Sequence, residues 1–263
     1  MKNIVVCMKQ VLDPEIPLSL FKIDSDTKQA IVPKATPPVL SPFDENALEA
    51  ALKIKDTKPV NITVISLGKK LTRIVVKAPL AAGADRLILL EDEIFGDFDT
   101  FTTANALAAA IKMLGQVDLI LCGIQAADTN AGQVGIGIAS NLGIPCITYA
   151  GKVELNEDKV RVRKVTPEGY EVVEAPTPVV VTTSYEVGAL REPGVEAFMS
   201  AGKKPVTILN AQALGLSTGN DGRTSFIKMS RTTHDSRCEM IDGSTPEEKA
   251  GKLVAKLQEI KAI

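Results

Sequence analysis

Histidine and tryptophan are all but missing. The 263-residue chain carries one His, His234, and no Trp. Histidine is the usual general base near neutral pH and a common metal ligand. His-based catalysis is therefore a poor fit, and His234 is expected at a surface or interface. Aromatic residues make up 4%, too few for the stacking platforms that hold single-stranded nucleic acid. Neither sign of charge is in excess: 30 Lys+Arg against 32 Asp+Glu leave a net charge of -2. A nucleic-acid partner would call for a basic surplus to displace phosphate counterions, so none is expected. No apolar run reaches the roughly 18–20 residues that span a bilayer. Lys9 interrupts the apolar start, MKNIVVCMKQ, before it is long enough for a secretory signal. Membrane insertion is not expected, and a cytoplasmic location is. The four cysteines, Cys7, Cys122, Cys146 and Cys238, form no C-x-x-C pair. That excludes the usual zinc and disulfide frameworks and fits a reducing compartment. The acids at Glu91-Asp92-Glu93, Asp97 and Asp99 read as a solvated loop. No metal ligand and no catalytic residue is assigned.

What is present is an alternation of short apolar runs and amphipathic stretches. Asn3–Met8, Asn61–Ser66, Arg86–Leu90 and Val117–Cys122 read as buried strands. Helices are expected from Ser41-Pro42-Phe43-Asp44 onward, over about Lys69–Ala82, over Phe101–Leu114 with Thr100 as cap, and from about Gly132 to Leu142. Ser41 and Asp44 have the spacing of a capping box. Gly83, Gly115 and Gly143 are the stops. This order predicts an α/β fold, a parallel sheet wound in both directions. Ligands bind such sheets at the carboxyl ends of the strands, where the winding reverses. If the first strand is central, its neighbour across the reversal is the fourth, and Lys9-Gln10-Val11 and Gly123–Gly135 share one crevice. After residue 150 further strands follow: a hairpin of Lys152–Leu155 and Lys159–Val165, then Tyr170–Glu174 and Pro178–Thr183. From 186 the periodicity fades. Residues 186–263, ending in a helix over Pro246–Ile263 capped by Ser244 or Thr245, read as an arm that needs a partner surface, or else as a loose tail. The expected division is 1–185 and 186–263.

The segment Leu119–Leu142, LILCGIQAADTNAGQVGIGIASNL, runs strand, small-and-polar loop, helix. Gly123 and Gly132 let the backbone approach a ligand closely. Thr129, Asn130 and Gln133 can donate to phosphate oxygens, beside the free N–H groups and dipole of a helix start. A mononucleotide or dinucleotide phosphate fits this pattern, and so does a plain strand–turn–helix joint. The dinucleotide fingerprint is not met, because Gly135-x-Gly137 lies inside the helix and is followed by Ser140.

Several separated motifs together resemble the beta subunit of electron-transfer flavoproteins. They are VVCMKQV, SPFDENALEAALKIKD, AAGADR (81–86), LILCGIQAADTNAGQVG, LREPG and MSAGKKP, in order along nearly the whole chain. The resemblance implies a Rossmann-like, doubly wound, mostly parallel sheet of the adenine-nucleotide alpha-hydrolase-like type, with a C-terminal arm that embraces a partner. It implies a heterodimer with an alpha subunit that carries most contacts to a redox-active FAD. The beta subunit would hold AMP, or a second FAD in electron-bifurcating members that use NADH. It would act as an electron carrier, not a self-sufficient enzyme, between acyl-CoA dehydrogenase-type donors and a quinone reductase or other acceptor. By position, the implied nucleotide contacts are Cys7, Lys9, Ser41, Pro42, Phe43, Asp44, Leu67 and the run Gly123, Ile124, Gln125, Ala126, Ala127, Asp128, Thr129, Asn130, Ala131, Gly132, Gln133 and Val134. Backbone near Cys7 and Leu67 would enclose the adenine. Asp128 would hold a ribose hydroxyl or orient the loop, and Thr129 to Val134 would wrap the phosphates. The LREPG segment resembles a recognition loop for dehydrogenases, with Leu190, Val195 or Phe198 as apolar anchor.

There are departures from the family pattern. Ile124 stands where a basic residue is frequent. Asp128-Thr129-Asn130-Ala131-Gly132-Gln133-Val134-Gly135 differs from the D-G-D-T-A-Q-V-G of bifurcating members, which leaves AMP or FAD open. The opening loop, LDPEIPLSLFKID, is longer than usual; the resemblance implies that it lies near the alpha-bound flavin, where Pro14 would alter the contact. Two other nucleotide-binding classes share the sheet. A universal-stress-type module would end near residue 150–160, and an ATP-pyrophosphatase needs S-G-G-x-D-S after the first strand, where Lys9-Gln10-Val11 stands.

Overall fold

The computed structural model describes residues 1–17, 19–24, 26, 29–31, 36–216, 222–225, 227–230 and 238–263. His234 lies outside the described residues. The chain opens with β1 (Lys2–Cys7), β2 (Gln10–Val11), β3 (Lys22–Asp24), β4 (Gln29–Ile31) and β5 (Val39–Leu40). It then alternates: α1 (Pro42–Lys55), β6 (Val60–Gly68), α2 (Arg73–Ala82), β7 (Arg86–Glu91), α3 (Thr100–Met113), β8 (Leu119–Gly123) and α4 (Val134–Leu142). Four strands follow, β9 (Cys146–Leu155), β10 (Lys159–Thr166), β11 (Gly169–Pro176) and β12 (Val179–Thr183). The last elements are α5 (Val195–Ala201), β13 (Val206–Leu209) and α6 (Pro246–Glu259).

Nine of the strands form one sheet in the order β11-β10-β9-β12-β8-β1-β6-β7-β13. The strands from β12 to β13 pair in parallel, and β10 pairs antiparallel with β9 and β11. Parallel strands with both faces covered should be apolar without alternation. LILCG of β8 and VVVTT of β12 are buried at every position. Ile4 and Val6 of β1 point into one core with Leu48, Ala51, Val76 and Leu80, from α1 and α2. Val5 and Cys7 point into the other with Ala104, Leu107, Ile111 and Ile138, from α3 and α4. The winding therefore reverses between β1 and β8, as expected. This is the Rossmann-like α/β architecture. Among the described residues, no helix is long and apolar enough to cross a membrane.

Several local expectations change. Asp99, not Thr100, caps α3, and its carboxylate accepts from the Thr102 N–H at 2.9 Å. The second helix begins at Arg73 and the fourth at Val134, later than the sequence pattern suggested. The described residues among 186–227 fall in the stretch expected to begin the arm. They belong to a first compact unit, Met1–Ile227. Within it β13 adds a parallel edge strand beside β7, in the register Val206↔Leu87 to Leu209↔Leu90. The segment 187–191 is fastened to α1: Asn46 Nδ2 donates to the Gly188 carbonyl at 2.7 Å, and Arg191 pairs with Glu49 and Asp56.

The second unit, Lys228–Ile263, contains α6. Thr245 caps the helix by accepting from the Glu248 N–H at 3.2 Å, and Glu248 accepts from the Ser244 N–H at 2.8 Å. This approaches a capping box, with the Glu248 bond made to the residue before the cap. No α6 side chain is buried.

Candidate nucleotide site

The site is built where β1 and β8 end side by side, Cys7 beside Cys122. The sequence pattern placed Asp44 in a capping box with Ser41, but Ser41 makes no side-chain cap bond. Asp44 instead reaches the strand ends. Its Oδ2 accepts from the Lys9 N–H at 2.8 Å and its Oδ1 from the Gly123 N–H at 3.0 Å. The Ser41 N–H in turn donates to the Lys9 carbonyl at 2.8 Å. The start of α1 and the end of β1 are thus bonded in both directions. Gly123 has to lack a side chain. A Cβ there would sit 2.6 Å from both Asp44 Oδ1 and the Phe43 carbonyl carbon.

Gln10 ties in a third loop. Its Oε1 accepts from the Thr72 N–H at 2.7 Å, and its Nε2 donates to the Lys70 carbonyl at 3.3 Å. This holds the turn after β6, next to half-buried Leu67 near the end of that strand. On the other side of the split, the Ile124 N–H donates to the Thr183 carbonyl at 3.0 Å, and the Thr183 hydroxyl donates to the Cys122 carbonyl at 3.2 Å. The loop then rises away from the sheet. Asp128, Thr129, Asn130, Ala131 and Gln133 are exposed, while Gln125 and Ala126 are half-buried. Asn130 and Gly132 adopt left-handed backbone, φ 50 and 64, which asparagine and glycine tolerate best. Val134 opens α4, so the helix start faces this loop.

Burial pushes the Asp44 carboxyl up to about 7, and the negative Asp128 adds to that; the Lys9 and Gly123 N–H bonds and the Lys9 charge hold it lower. A hydrogen bond with Cys7, and then burial, push the Cys122 thiol up, so it is a small core residue, not a nucleophile. Lys9 Nζ pairs with Asp128 at 2.7 Å, which links the segments on the two sides of the split. Gln133 is turned toward α3, its Oε1 accepting from the Thr100 hydroxyl at 2.6 Å.

The residues present suit a ligand that carries an anionic group. Ser41 Oγ is buried at the start of α1 with no hydrogen-bond partner among the described residues. Buried hydroxyls are seldom left unpaired. The loop offers small residues, exposed hydroxyl and amide groups, and a helix start for an anion. A separate hollow of about 270 Å³ between α3 and α4 is lined by Phe101, Ala104, Ile136 and Asn141 with Thr100 and Gln133. It carries no charged group and lies off the strand ends.

The electron transfer flavoprotein domain matches residues 30–214. A protein named electron transfer flavoprotein subunit beta, from Clostridium acetobutylicum, is 38% identical over 261 residues, covering 98% of each chain. One of the same name from Megasphaera elsdenii is 38% identical over 98% of this chain and 92% of its own. The caffeyl-CoA reductase-Etf complex subunit CarD of Acetobacterium woodii is 38% identical over 98% of each. The chain belongs to the electron-transfer flavoprotein beta-subunit/FixA family. Its members take part in electron transfer.

Of the residues assigned from the sequence, the fold brings Cys7, Lys9, Ser41, Pro42, Phe43, Asp44, Gly123 and the 125–134 loop to one end of the sheet, between β1 and β8. Leu67 ends the neighbouring strand β6. Leu190 is partly buried against the apolar core. Val195 and Phe198 on α5 are 78% and 68% exposed. Gln10 was placed at the crevice only within Lys9-Gln10-Val11, with no tie to another loop expected, and Thr183 was not singled out. Their partners lie 62 and 61 residues away, so no local pattern marked them.

Proposed function

We propose that this chain is the nucleotide-binding beta subunit of a heterodimeric electron carrier, with an adenine nucleotide, AMP or a second FAD, in the β1/β8 crevice. One observation carries the reading: two parallel strands diverge there beneath an exposed, glycine-bearing loop at a helix start, beside the unpaired Ser41 hydroxyl. The alpha subunit would carry the shared FAD. The flavin supplies the electron chemistry when bound. This chain's residues bind and orient. Main-chain amides of Asn130 to Val134 and the α4 start hold phosphate oxygens, Ser41 takes a polar atom of the ligand, and Asp128, released from Lys9, meets a ribose hydroxyl.

Relatives named for caffeyl-CoA reductase and acryloyl-CoA reductase complexes support enzymes of CoA thioesters as electron partners. Donors of the acyl-CoA dehydrogenase type and a quinone reductase-type acceptor fit that chemistry. Val195 and Phe198 are the apolar residues offered for docking. The unit from Lys228 to Ile263, whose helix buries nothing of its own, is the segment offered to the alpha subunit. Co-expression with the alpha subunit tests the reading. A yellow heterodimer with a flavin spectrum supports it, and a colourless homodimer that hydrolyses ATP removes it.

A further inference from the structure

The most buried carboxyl at the crevice is Asp44, 7% exposed, and its hydrogen-bond partners are pieces of the crevice wall. One carboxylate oxygen holds the segment after β1 and the other holds the segment after β8. The Cys7 and Cys122 side chains also meet across these strand ends, but Asp44 is what binds the main-chain N–H of both following segments. Lys9–Asp128 joins the same segments from above, with both side chains partly exposed, 44% and 32%, where a pair contributes little. The groups facing Asp44 are few. Lys9 follows β1, Asp128 lies in the loop after β8, and Cys122 sits on β8 with Cys7 beside it. Half-buried Glu45 is its neighbour on α1. β12, also packed on α1, has no ionisable residue in Val179–Thr183.

We infer that Asp44 is a positioning residue: as a carboxylate it sets the spacing of the two chain segments that grip the nucleotide, and on taking up a proton it releases one of them. The chemistry is that of acceptor count. An ionised carboxyl offers two acceptor oxygens, whereas a protonated one must donate from one oxygen. It then keeps one of the two N–H groups. The other segment loses its bond and the crevice its width. Because burial has brought the carboxyl to about 7, the ionised fraction changes about tenfold between pH 8 and pH 6. If only that form binds well, apparent affinity falls by about the same factor. This rests on the crevice being the nucleotide site.

The test uses heterodimer depleted of its crevice nucleotide and titrated calorimetrically with AMP and, separately, with FAD, at pH 6, 7 and 8. The wild type is expected to bind about tenfold more weakly at pH 6 than at pH 8. Asp44→Asn should bind with a profile flatter by that factor. The AMP phosphate titrates near pH 6, but equally in both proteins, so the wild type's excess over the variant is the quantity read. Identical profiles would overturn the assignment while leaving the site intact. Binding of neither nucleotide at any pH would instead remove the site itself, and the inference with it. Should Asp44→Asn not fold, the wild-type amide signals of Lys9 and Gly123 decide. One of them should shift with a midpoint near 7, and two signals unmoved from pH 6 to 8 would refute the role.

Discussion

Replacing Arg191 by alanine tests how the chain returns to its own core before α5. The guanidinium donates to Glu49 at 2.9 and 3.1 Å and to Asp56 at 2.8 and 2.9 Å, and the Arg191 N–H adds a bond to Glu49 at 3.1 Å. The Glu49 side chain is 6% exposed and that of Arg191 36%. Breaking a buried pair strands a charge, at about 3–5 kcal/mol. The Asp56 half of the pair is at the surface, where such contacts contribute roughly 0–1 kcal/mol, and water reaches Arg191 itself. The expected loss is therefore about 2 kcal/mol. Glu49→Gln removes the stranded charge, so the double variant should recover about 1 kcal/mol of coupling. Denaturant unfolding followed by circular dichroism reads this as a shift in midpoint at constant slope. A coupling below about 0.5 kcal/mol, the limit for independent sites, would show that the 187–191 segment is not fastened through this pair.

Other outcomes follow from the same contacts. Gly123→Ala places a Cβ 2.6 Å from Asp44 Oδ1 and should destabilise by about 1–3 kcal/mol, with nucleotide content falling alongside; a neutral result would mean that the strand ends have slack. Asp44 should also make stability depend on pH. Its carboxyl is raised from 3.8 to about 7, so between those values the unfolded chain has lost a proton that the folded one keeps. Stability therefore falls as pH rises from about 4 to 7, by roughly 4 kcal/mol at most, and denaturation midpoints of Asp44→Asn should show no such slope. Asp99 is opposite in sign. Burial alone would raise its carboxyl, but bonds from Thr102, Arg223 and Thr224 outweigh that and hold it well below the usual range. Its contribution is present at neutral pH and lost only in acid, so Asp99→Ala should lower the unfolding midpoint at pH 7 and have progressively less effect toward pH 2. Ending the chain after Ile227 leaves every strand of the large sheet in place. That variant should fold and fail to hold the alpha subunit on gel filtration; an intact heterodimer would remove the arm from the interface.

The central sheet was legible because its strands are buried on both faces. Runs such as LILCG and VVVTT have few other uses, and Gly83 and Gly143 end their helices where the pattern put them. The reversal between β1 and β8 followed from element order alone. What stayed hidden depends on distant partners. β13 is four residues long and gains its strand character from pairing with β7 more than a hundred positions earlier. The α1 start looked like a capping box because Ser41 and Asp44 have the right spacing. The strand-end N–H groups of Lys9 and Gly123, 35 and 79 residues from Asp44, hold its carboxylate instead. The partial burial of Leu190 was hidden because nothing local shows that Arg191 pulls its segment onto α1. The loop from Gly123 to Val134 was the most readable part of the site, since left-handed turns demand residues such as Asn130 and Gly132.

The most direct measurement is the nucleotide content of purified heterodimer, extracted by denaturation and separated by chromatography, for wild type and for Gly132→Val. Valine cannot comfortably hold the positive φ of 64 at that position. The wild type should yield one FAD plus one further adenine nucleotide, AMP or FAD, and the variant should lose the further nucleotide while keeping the first. A wild type with a single FAD and nothing else, or a variant with undiminished content, would contradict a nucleotide seated between β1 and β8.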